Sequence, residues 1–407
     1  MTDIDLATAS IVELKAVLDA GEATATELAL GYLERIARYD RQGIRLNAVP
    51  IVNPALLDEA RASDERRRRG EALPLDGVPY LVKASYAVRG LPVSSGSPAF
   101  EHLIARDDAH VIRQLRAAGA VVVGITNMPP MAAGGMQRGL YGRAESPYNA
   151  AFLTAAYASG SSNGSGTGLA AGFGAFALAE ETWSSGRAPA SNNALVAYTP
   201  SRGVISIRGN WPLIPSMDVV VPYARTVADM LEILDVVVAD DPETRGDFWR
   251  TQTAVAIPPV AQLRPADYRA LADREALRGR RVGVPRMYIG TDDAKAEPIQ
   301  TRQSVLDLWA DARRDLEALG AEVVEVDVPL IVNYDDDRPG AQTMMARGLV
   351  PPGFPAAEGA SIVFAWHDYL AANGQPGLDS LALVDGAEII PANPERLPDR
   401  YENLPDW

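Results

Sequence analysis

Residues 160–187 read GSSNGSGTGLAAGFGAFALAEETWSSGR, and the interpretation of the whole chain depends on this stretch. Small residues crowd both ends, and serines stand in pairs at positions 161–162 and 184–185. Small residues let backbone approach backbone or ligand closely. A flexible Gly/Ser linker is the plain alternative, but the apolar run from Leu169 to Ala179 belongs in a core. We therefore predict two loops joined by a buried segment.

The composition is that of a globular protein of enzyme size. The chain has 407 residues, of which 47% are hydrophobic and 22% charged. A net charge of -15 argues against nucleic acid and anionic membranes as partners. Without cysteine, the chain has neither disulfides nor thiolate chemistry. The N-terminus lacks the features of a signal peptide, and no apolar run reaches ~18 residues, so we predict a cytoplasmic protein.

Elsewhere helical and strand patterns alternate, which predicts an α/β fold with a largely parallel β-sheet. Capping boxes mark two N-terminal helices, and glycines end several others. The predicted elements are helices that start at Ser10 and Thr24, a helix over 54–69, a buried strand within 74–88, a helix capped by Asp107–Asp108 that ends at Ala118, a strand over 120–125, a strand over 281–284, a helix over 298–319 and a strand over 321–328. Residues 329–360 read as a long loop, in which Asp335–Asp337 is interpreted as a solvated run of charge and not as a metal site.

Lys83 is unusual for its surroundings. It is one of only three lysines, and it lies in the apolar segment PLDGVPYLVKASYAV. Burial lowers the pKa of a lysine, and unlike arginine a lysine can then act as a base. The alternative is a lysine at a strand end that reaches solvent. The segment alone leaves both interpretations open.

Three kinds of chemistry use glycine–serine stretches of this type. A Walker phosphate loop is excluded because no lysine lies between Lys83 and Lys295, and the glycine spacing does not fit a dinucleotide fingerprint. A nucleophile elbow fits residues 160–164, with Ser162 as nucleophile and His367, the only downstream histidine, as its base. The third combines both serine pairs with Lys83.

Three motifs support that third chemistry: Gly77-Val78-Pro79-Tyr80-Leu81-Val82-Lys83, Gly160-Ser161-Ser162-Asn163-Gly164-Ser165 and Ser184-Ser185-Gly186-Arg187-Ala188-Pro189. In order and spacing they resemble the hallmarks of the amidase signature family, and the resemblance runs from about Ser10 to Val328. It implies an α/β/α sandwich, in which a central mixed, largely parallel β-sheet is flanked by helices on both faces. It also implies an amide hydrolase that acts on linear C–N bonds through an acyl-enzyme. It implies no cofactor or metal, and a small-molecule amide as the substrate. Monomer and homodimer both remain open.

The resemblance also implies site residues. Ser185 is the nucleophile, Ser161 is a bridging serine held by a cis peptide bond, and Lys83 is the base. Backbone N–H groups of Thr182, Trp183 and Ser184 form the oxyanion hole. The substrate pocket is expected to include Met128, Met131, Tyr157, Ser162 and Trp183.

The chain departs from the family pattern in two places. Where the family usually has Thr-Asp-x-Gly-Gly-Ser, this chain has Glu180-Glu181-Thr182-Trp183-Ser184-Ser185, which leaves Ser184 as a rival nucleophile. Family members also usually continue further at the C-terminus. A non-catalytic relative or a transamidosome-type subunit is therefore the alternative function. The predicted organisation is an N-terminal helical segment packed on the core at 1–70, the signature core at 71–235, surface helices and loops at 236–280, and a second part of the same α/β domain at 281–407 that is short at its C-terminus.

Overall fold

The computed structural model describes residues 4–133, 139–156, 159–291, 300–328, 344 and 346–391. The chain divides into two compact units. The first contains the chain up to residue 269 and again from residue 360, and the second contains residues 270–359. Residues 281–407 are thus divided between the two units.

The described helices and strands follow the predicted alternation. The strands are β1 (Ile51–Val52), β2 (Pro79–Lys83), β3 (Val121–Thr126), β4 (Phe176–Glu181), β5 (Val196–Ala197), β6 (Val219–Ala224), β7 (Arg281–Pro285) and β8 (Glu322–Val326). The α-helices are α1 (Ile11–Asp19), α2 (Ala25–Arg35), α3 (Leu56–Arg68), α4 (His110–Ala117), α5 (Asn163–Ala170), α6 (Arg187–Asn192), α7 (Val227–Val237), α8 (Phe248–Thr251), α9 (Arg286–Ile289), α10 (Gln303–Ala318) and α11 (Phe354–Asn373). A π-helical turn, Ile36–Arg41, continues α2.

A six-stranded mixed sheet forms the centre of the first unit, in the order β1–β3–β2–β4–β6–β5. Strand β2 runs parallel to β3 on one side and to β4 on the other, whereas the outer pairs are antiparallel. The predicted mixed sheet is confirmed, and its parallel part consists of the three central strands. Strands β2, β3, β4 and β6 are buried along their whole length, which explains their continuous apolar runs.

Two helix starts match their capping signals, and one does not. Ser10 and Glu13 form a reciprocal capping box at α1, as Thr24 and Glu27 do at α2. The cap predicted at Asp107–Asp108 is wrong, because α4 begins at His110 after an uncapped Ala109. Asp108 instead accepts a hydrogen bond from the backbone N–H of Arg89 at 2.8 Å. A neighbouring segment therefore uses the carboxylate that was expected to cap the helix.

The second unit contains a two-stranded parallel sheet of β7 and β8. Helix α10 lies between these strands in sequence, which matches the predicted strand–helix–strand order. Most of the predicted loop over 329–360, including Asp335–Asp337, lies outside the described residues. The loop prediction is wrong at its end, because α11 already begins at Phe354.

Candidate active site

Lys83 is the last residue of β2, and its side chain is completely buried. Its Nζ donates a hydrogen bond of 2.6 Å to Oγ of Ser161, and the peptide bond Gly160–Ser161 is cis. Burial lowers the pKa of Lys83, while the nearby carboxylate of Glu180 acts in the opposite direction. Of the two interpretations left open by the sequence, the structure therefore supports the buried lysine and not the lysine that reaches solvent.

The loop that carries Ser161 is fixed where α5 begins. The backbone of Asn127, just after β3, bonds to it, since its carbonyl accepts the N–H of Gly164 at 2.9 Å. A Cβ at Gly164 would lie 2.3 Å from the backbone nitrogen of Asn127 and 2.6 Å from the carbonyl oxygen of Ala48. Only glycine fits such an approach of backbone to backbone. The glycine in GSSNGS therefore brings the serine loop against the carboxyl end of the central strands.

Ser162 joins the two serine loops and does not line an open pocket. Its side chain is fully buried, and its Oγ donates to the carbonyl of Glu180 at 3.1 Å. Its N–H lies 3.4 Å from the carbonyl oxygen of Ser185. His367 is exposed on α11, and within the described part of the chain no hydrogen bond joins it to Ser162. The structure does not bring the proposed Ser162–His367 pair together.

Ser185 lies on the loop between β4 and α6 and is 7% exposed. The carboxylate of Glu181 holds this loop by accepting the backbone N–H groups of Gly186 at 3.2 Å and of Arg187 at 2.8 Å. The hydroxyl of Tyr223, on β6, donates to the carbonyl of Gly186. Ser185 lies beside the loop that carries Ser161 and Ser162, because its carbonyl oxygen is 3.4 Å from the backbone nitrogen of Ser162.

Residues 183–185 carry backbone N–H groups that make no hydrogen bond to other described residues. Among the described residues, the backbone N–H groups of Trp183, Ser184 and Ser185 find no acceptor. The Thr182 hydroxyl donates to Oδ1 of Asp218 at 2.6 Å, which fixes the start of this turn. The carbonyl of Ser184 accepts the N–H of Ala188 at 2.8 Å and so belongs to the first turn of α6. This arrangement leaves the N–H groups available to a ligand.

The residues predicted to line the pocket lie in different surroundings. Met128 and Met131 are 2% and 1% exposed and belong to the core. Both contact Ser95, through Sδ of Met128 at 3.9 Å from the serine hydroxyl and through the N–H of Met131 at 2.8 Å from the serine carbonyl. Trp183 is 53% exposed. Tyr157 lies outside the described residues.

The sequence interpretation missed a buried cluster of carboxylates around the lysine. Oε1 of Glu180 lies 3.3 Å from Nζ of Lys83, and its Oε2 accepts a hydrogen bond of 2.7 Å from Nδ2 of Asn210. Burial, aided by the charge of Glu180, raises the pKa of Asp218 to about 7. A signal was present: β4 reads FALAEE, so two acids end an apolar strand just as Lys83 ends PYLVK.

Metal-binding clusters and membrane-spanning helices are both missing from the described residues. No group of three or more His, Cys, Asp or Glu side chains there is placed to hold a metal ion. No helix there combines the length and the apolar character needed to cross a bilayer.

Comparison with known proteins gives one family. A protein-family model described as amidase matches residues 27–337. Curated relatives include a subunit of the glutamyl-tRNA(Gln) amidotransferase of Cupriavidus taiwanensis, 34% identical over 322 residues, which cover 79% of this chain and 61% of that protein. The corresponding subunit from Streptomyces avermitilis is 31% identical over 331 residues, which cover 81% of this chain and 60% of the relative. The chain thus spans about three fifths of the length of these relatives.

Solved structures that resemble this chain also include amidases. The native peptide amidase of Stenotrophomonas maltophilia is similar with a TM-score of 0.74 and 31% identity, over 92% of this chain and 70% of that chain. An amidase family protein of Bacillus anthracis has a TM-score of 0.73 and 25% identity, over 94% of this chain and 71% of its own. Since the family model matches well over half of its residues, the chain belongs to the amidase family, the amidase signature family that its motifs predicted.

Proposed function

We propose that the chain is an amide hydrolase in which Ser185 is the nucleophile, Ser161 the bridging serine and Lys83 the base. The observation that carries this proposal is the 2.6 Å hydrogen bond between Nζ of Lys83 and Oγ of Ser161, two side chains with no exposed surface. A lysine in this position can do the work of the histidine in other serine hydrolases. The substrate belongs to the linear amides, whose C–N bond is not a peptide bond.

In this mechanism protons move along a line of three residues. A neutral Lys83 accepts a proton from Ser161 as Ser161 takes one from Ser185, whose Oγ attacks the amide carbon. The same proton then returns through Ser161 to the leaving amine. Water hydrolyses the acyl-enzyme by the same route in reverse. Burial supports this role, because it lowers the pKa of Lys83.

Ser185 is preferred over Ser184 on the basis of its backbone contacts. Its carbonyl lies beside the N–H of Ser162 at 3.4 Å, which ties it to the residue that follows Ser161. The carbonyl of Ser184 instead accepts the N–H of Ala188, in the first turn of α6. The unused N–H groups at positions 183–185 suit an oxyanion, and each such donor is worth about 3 kcal/mol in the transition state. The side chain of Trp183 is about half exposed.

A second candidate function is a non-catalytic amidase-like subunit or a transamidosome-type subunit. Two observations favour it: the curated relatives are named as subunits of a glutamyl-tRNA(Gln) amidotransferase, and the stretch before Ser185 departs from the family pattern. A homodimer and a cytoplasmic location both stay predictions from the sequence.

A fluorophosphonate probe, which labels activated serines, tests the proposal. We expect the wild-type chain to be labelled, and Ser185→Ala and Lys83→Met to lose labelling by roughly 10²-fold or more because the nucleophile or its base is removed. Ser191→Ala, on the exposed face of α6, serves as the matched control and keeps full labelling. Labelling that survives in S185A and disappears in Ser184→Ala would assign the nucleophile to Ser184.

An unlabelled but folded wild-type chain favours the non-catalytic subunit. For a labelled chain, a screen of aliphatic, aryl and peptide amides identifies the substrate class. Peptide amides are included because of the similarity to the peptide amidase.

A further inference from the structure

Glu180 is a buried acid that the proposed triad does not use. Its side chain is 1% exposed, and its Oε1 lies 3.3 Å from Nζ of Lys83. Within the described part of the chain, that oxygen accepts no hydrogen bond. A buried carboxylate oxygen without a donor is costly unless a charge faces it. Only the ammonium group of Lys83 lies within ion-pair distance of Glu180 in the described residues.

The chain holds this carboxylate from its other side. Nδ2 of Asn210 donates to Oε2 at 2.7 Å. Asn210 lies on a segment paired with the residues just after Lys83, since Gly209 accepts the N–H of Ala87 at 2.9 Å and Trp211 donates to Ser85 at 2.8 Å. The segment that follows the lysine therefore also positions the amide that orients the acid.

The other ionisable groups near the lysine are engaged elsewhere. Glu181 forms an ion pair with Arg187 at 2.8 Å, and Asp218 accepts bonds from Thr182 and from the backbone. The buried hydroxyls of Tyr86 and Tyr223 donate to backbone carbonyls. The exception is Tyr369, a further ionisable group near Glu180, whose buried hydroxyl finds no hydrogen-bond partner in the described residues.

We propose that Glu180 is a positioning residue for the base: it holds the ammonium group of Lys83 at Ser161 and takes up its proton when the amine is needed. The inference rests on the proposed function. One N–H bond of Nζ breaks and one O–H bond forms at Oε1, so the charged pair becomes a neutral pair without loss of a proton to solvent. The free amine then accepts the proton of Ser161. When the leaving amine has taken that proton back, the pair returns to its charged form.

The test measures the protonation of Lys83 directly. The chain has three lysines, so the Lys15→Arg and Lys295→Arg variants assign the Nζ signal of Lys83 in ¹⁵N-lysine NMR. Without the Glu180 carboxylate, the effect of burial on the pKa of Lys83 is opposed only by the weaker charges of Asp218 and Glu181. We therefore expect the titration midpoint of Lys83 to fall by about one pH unit or more in Glu180→Gln. The acidic limb of the pH profile for fluorophosphonate labelling should move to lower pH by the same amount, whereas Glu180→Asp keeps the charge and restores the midpoint.

Asp76→Asn is the matched control. Asp76 is fully buried, pairs with Arg66 at 2.5 Å and lies before the start of β2, at the opposite end from Lys83. The Asp76→Asn substitution should therefore leave the titration midpoint of Lys83 unchanged. If E180Q does not fold, Glu180→Thr, the residue of the family pattern, provides the same comparison.

An unchanged midpoint in E180Q overturns the inference even if the wild-type chain is labelled. A shifted midpoint in a chain that no probe labels supports the pairing of Glu180 with Lys83 and contradicts only the hydrolase function. The two failures are therefore distinguishable.

Discussion

Asp218 shows how a single buried residue makes stability depend on pH. Its carboxylate accepts N–H groups of Leu213 at 2.8 Å and Ile214 at 3.2 Å, and it faces the same cluster as Lys83 and Glu180. Burial raises its pKa to about 7 in the folded chain, well above the value of about 4 for an exposed aspartate. Between these two values the folded state binds the proton and the unfolded state has lost it. Stability must therefore fall as pH rises through this range.

We expect Asp218→Asn to flatten this pH dependence. The free energy of unfolding of the wild type should decline by a few kcal/mol more than that of the variant between pH 5 and about 8. Urea unfolding at a series of pH values measures the difference. Burial also raises the pKa values of Asp40, Asp229 and Asp247, and these contribute equally to both proteins. Parallel curves for wild type and variant would contradict the assignment to Asp218.

At the scale of an element, α5 links the serine loop to the sheet through glycines. The three atoms nearest to a Cβ at Gly164 would all be backbone atoms, of Asn127 and Ala48, and these cannot move without displacing the segments next to β3 and β1. Gly168 is one turn further along the same helix, and a Cβ there would meet the end of the Leu81 side chain at 2.9 Å. The two glycines lie on the same helix. A Cβ at Gly164 would meet fixed backbone atoms, whereas one at Gly168 would meet a leucine side chain that can rotate away.

We therefore expect Gly164→Ala to be more damaging than Gly168→Ala. Both substitutions gain about 1 kcal/mol of helix propensity, but overpacking against backbone costs G164A about 1–3 kcal/mol beyond that. It should also displace Ser161 and reduce fluorophosphonate labelling. Thermal unfolding and labelling of the pair measure both effects. Equal stability of the two variants would mean that the serine loop does not depend on this close approach.

Much of the element order follows from local signals, whereas the site depends on contacts that are distant in sequence. Capping boxes at Ser10 and Thr24 and the apolar runs of β2 and β3 suffice to place those elements. The cap at Asp108 fails because a distant backbone N–H, that of Arg89, competes for the carboxylate. The role of Glu180 becomes visible only in the folded chain, where β4 pairs with β2 and places the carboxylate beside Lys83. Single-element patterns cannot indicate such a pairing of strand ends.

At the scale of the whole molecule, the first unit is built from two separate parts of the chain. Its second part, the returning segment from residue 360 onward, packs on residues far earlier in sequence. Trp366 donates to the carbonyl of Pro212 at 2.7 Å, and the rings of Tyr369 and Trp211 stack at 4.2 Å between centroids. Trp211 follows Asn210, the residue that orients Glu180. The returning segment thus supports the strand end that carries the base, and the core cannot be complete without it.

Leucines on α10 and α11 test this dependence. Leu370 on α11 is fully buried in the core of the first unit, whereas Leu308 on α10 is 68% exposed. Because a buried leucine leaves a cavity, Leu370→Ala should lower the free energy of unfolding by about 2–5 kcal/mol, and Leu308→Ala should change it by at most about 0.5 kcal/mol. Urea unfolding followed by tryptophan fluorescence measures both, and fluorophosphonate labelling should disappear in the same transition for L370A. If L370A were as stable as L308A, or if labelling outlasted the loss of fluorescence, the returning segment would be dispensable to the site. If the core is assembled from both parts of the chain, L370A must be less stable than L308A, and labelling must be lost together with tryptophan fluorescence.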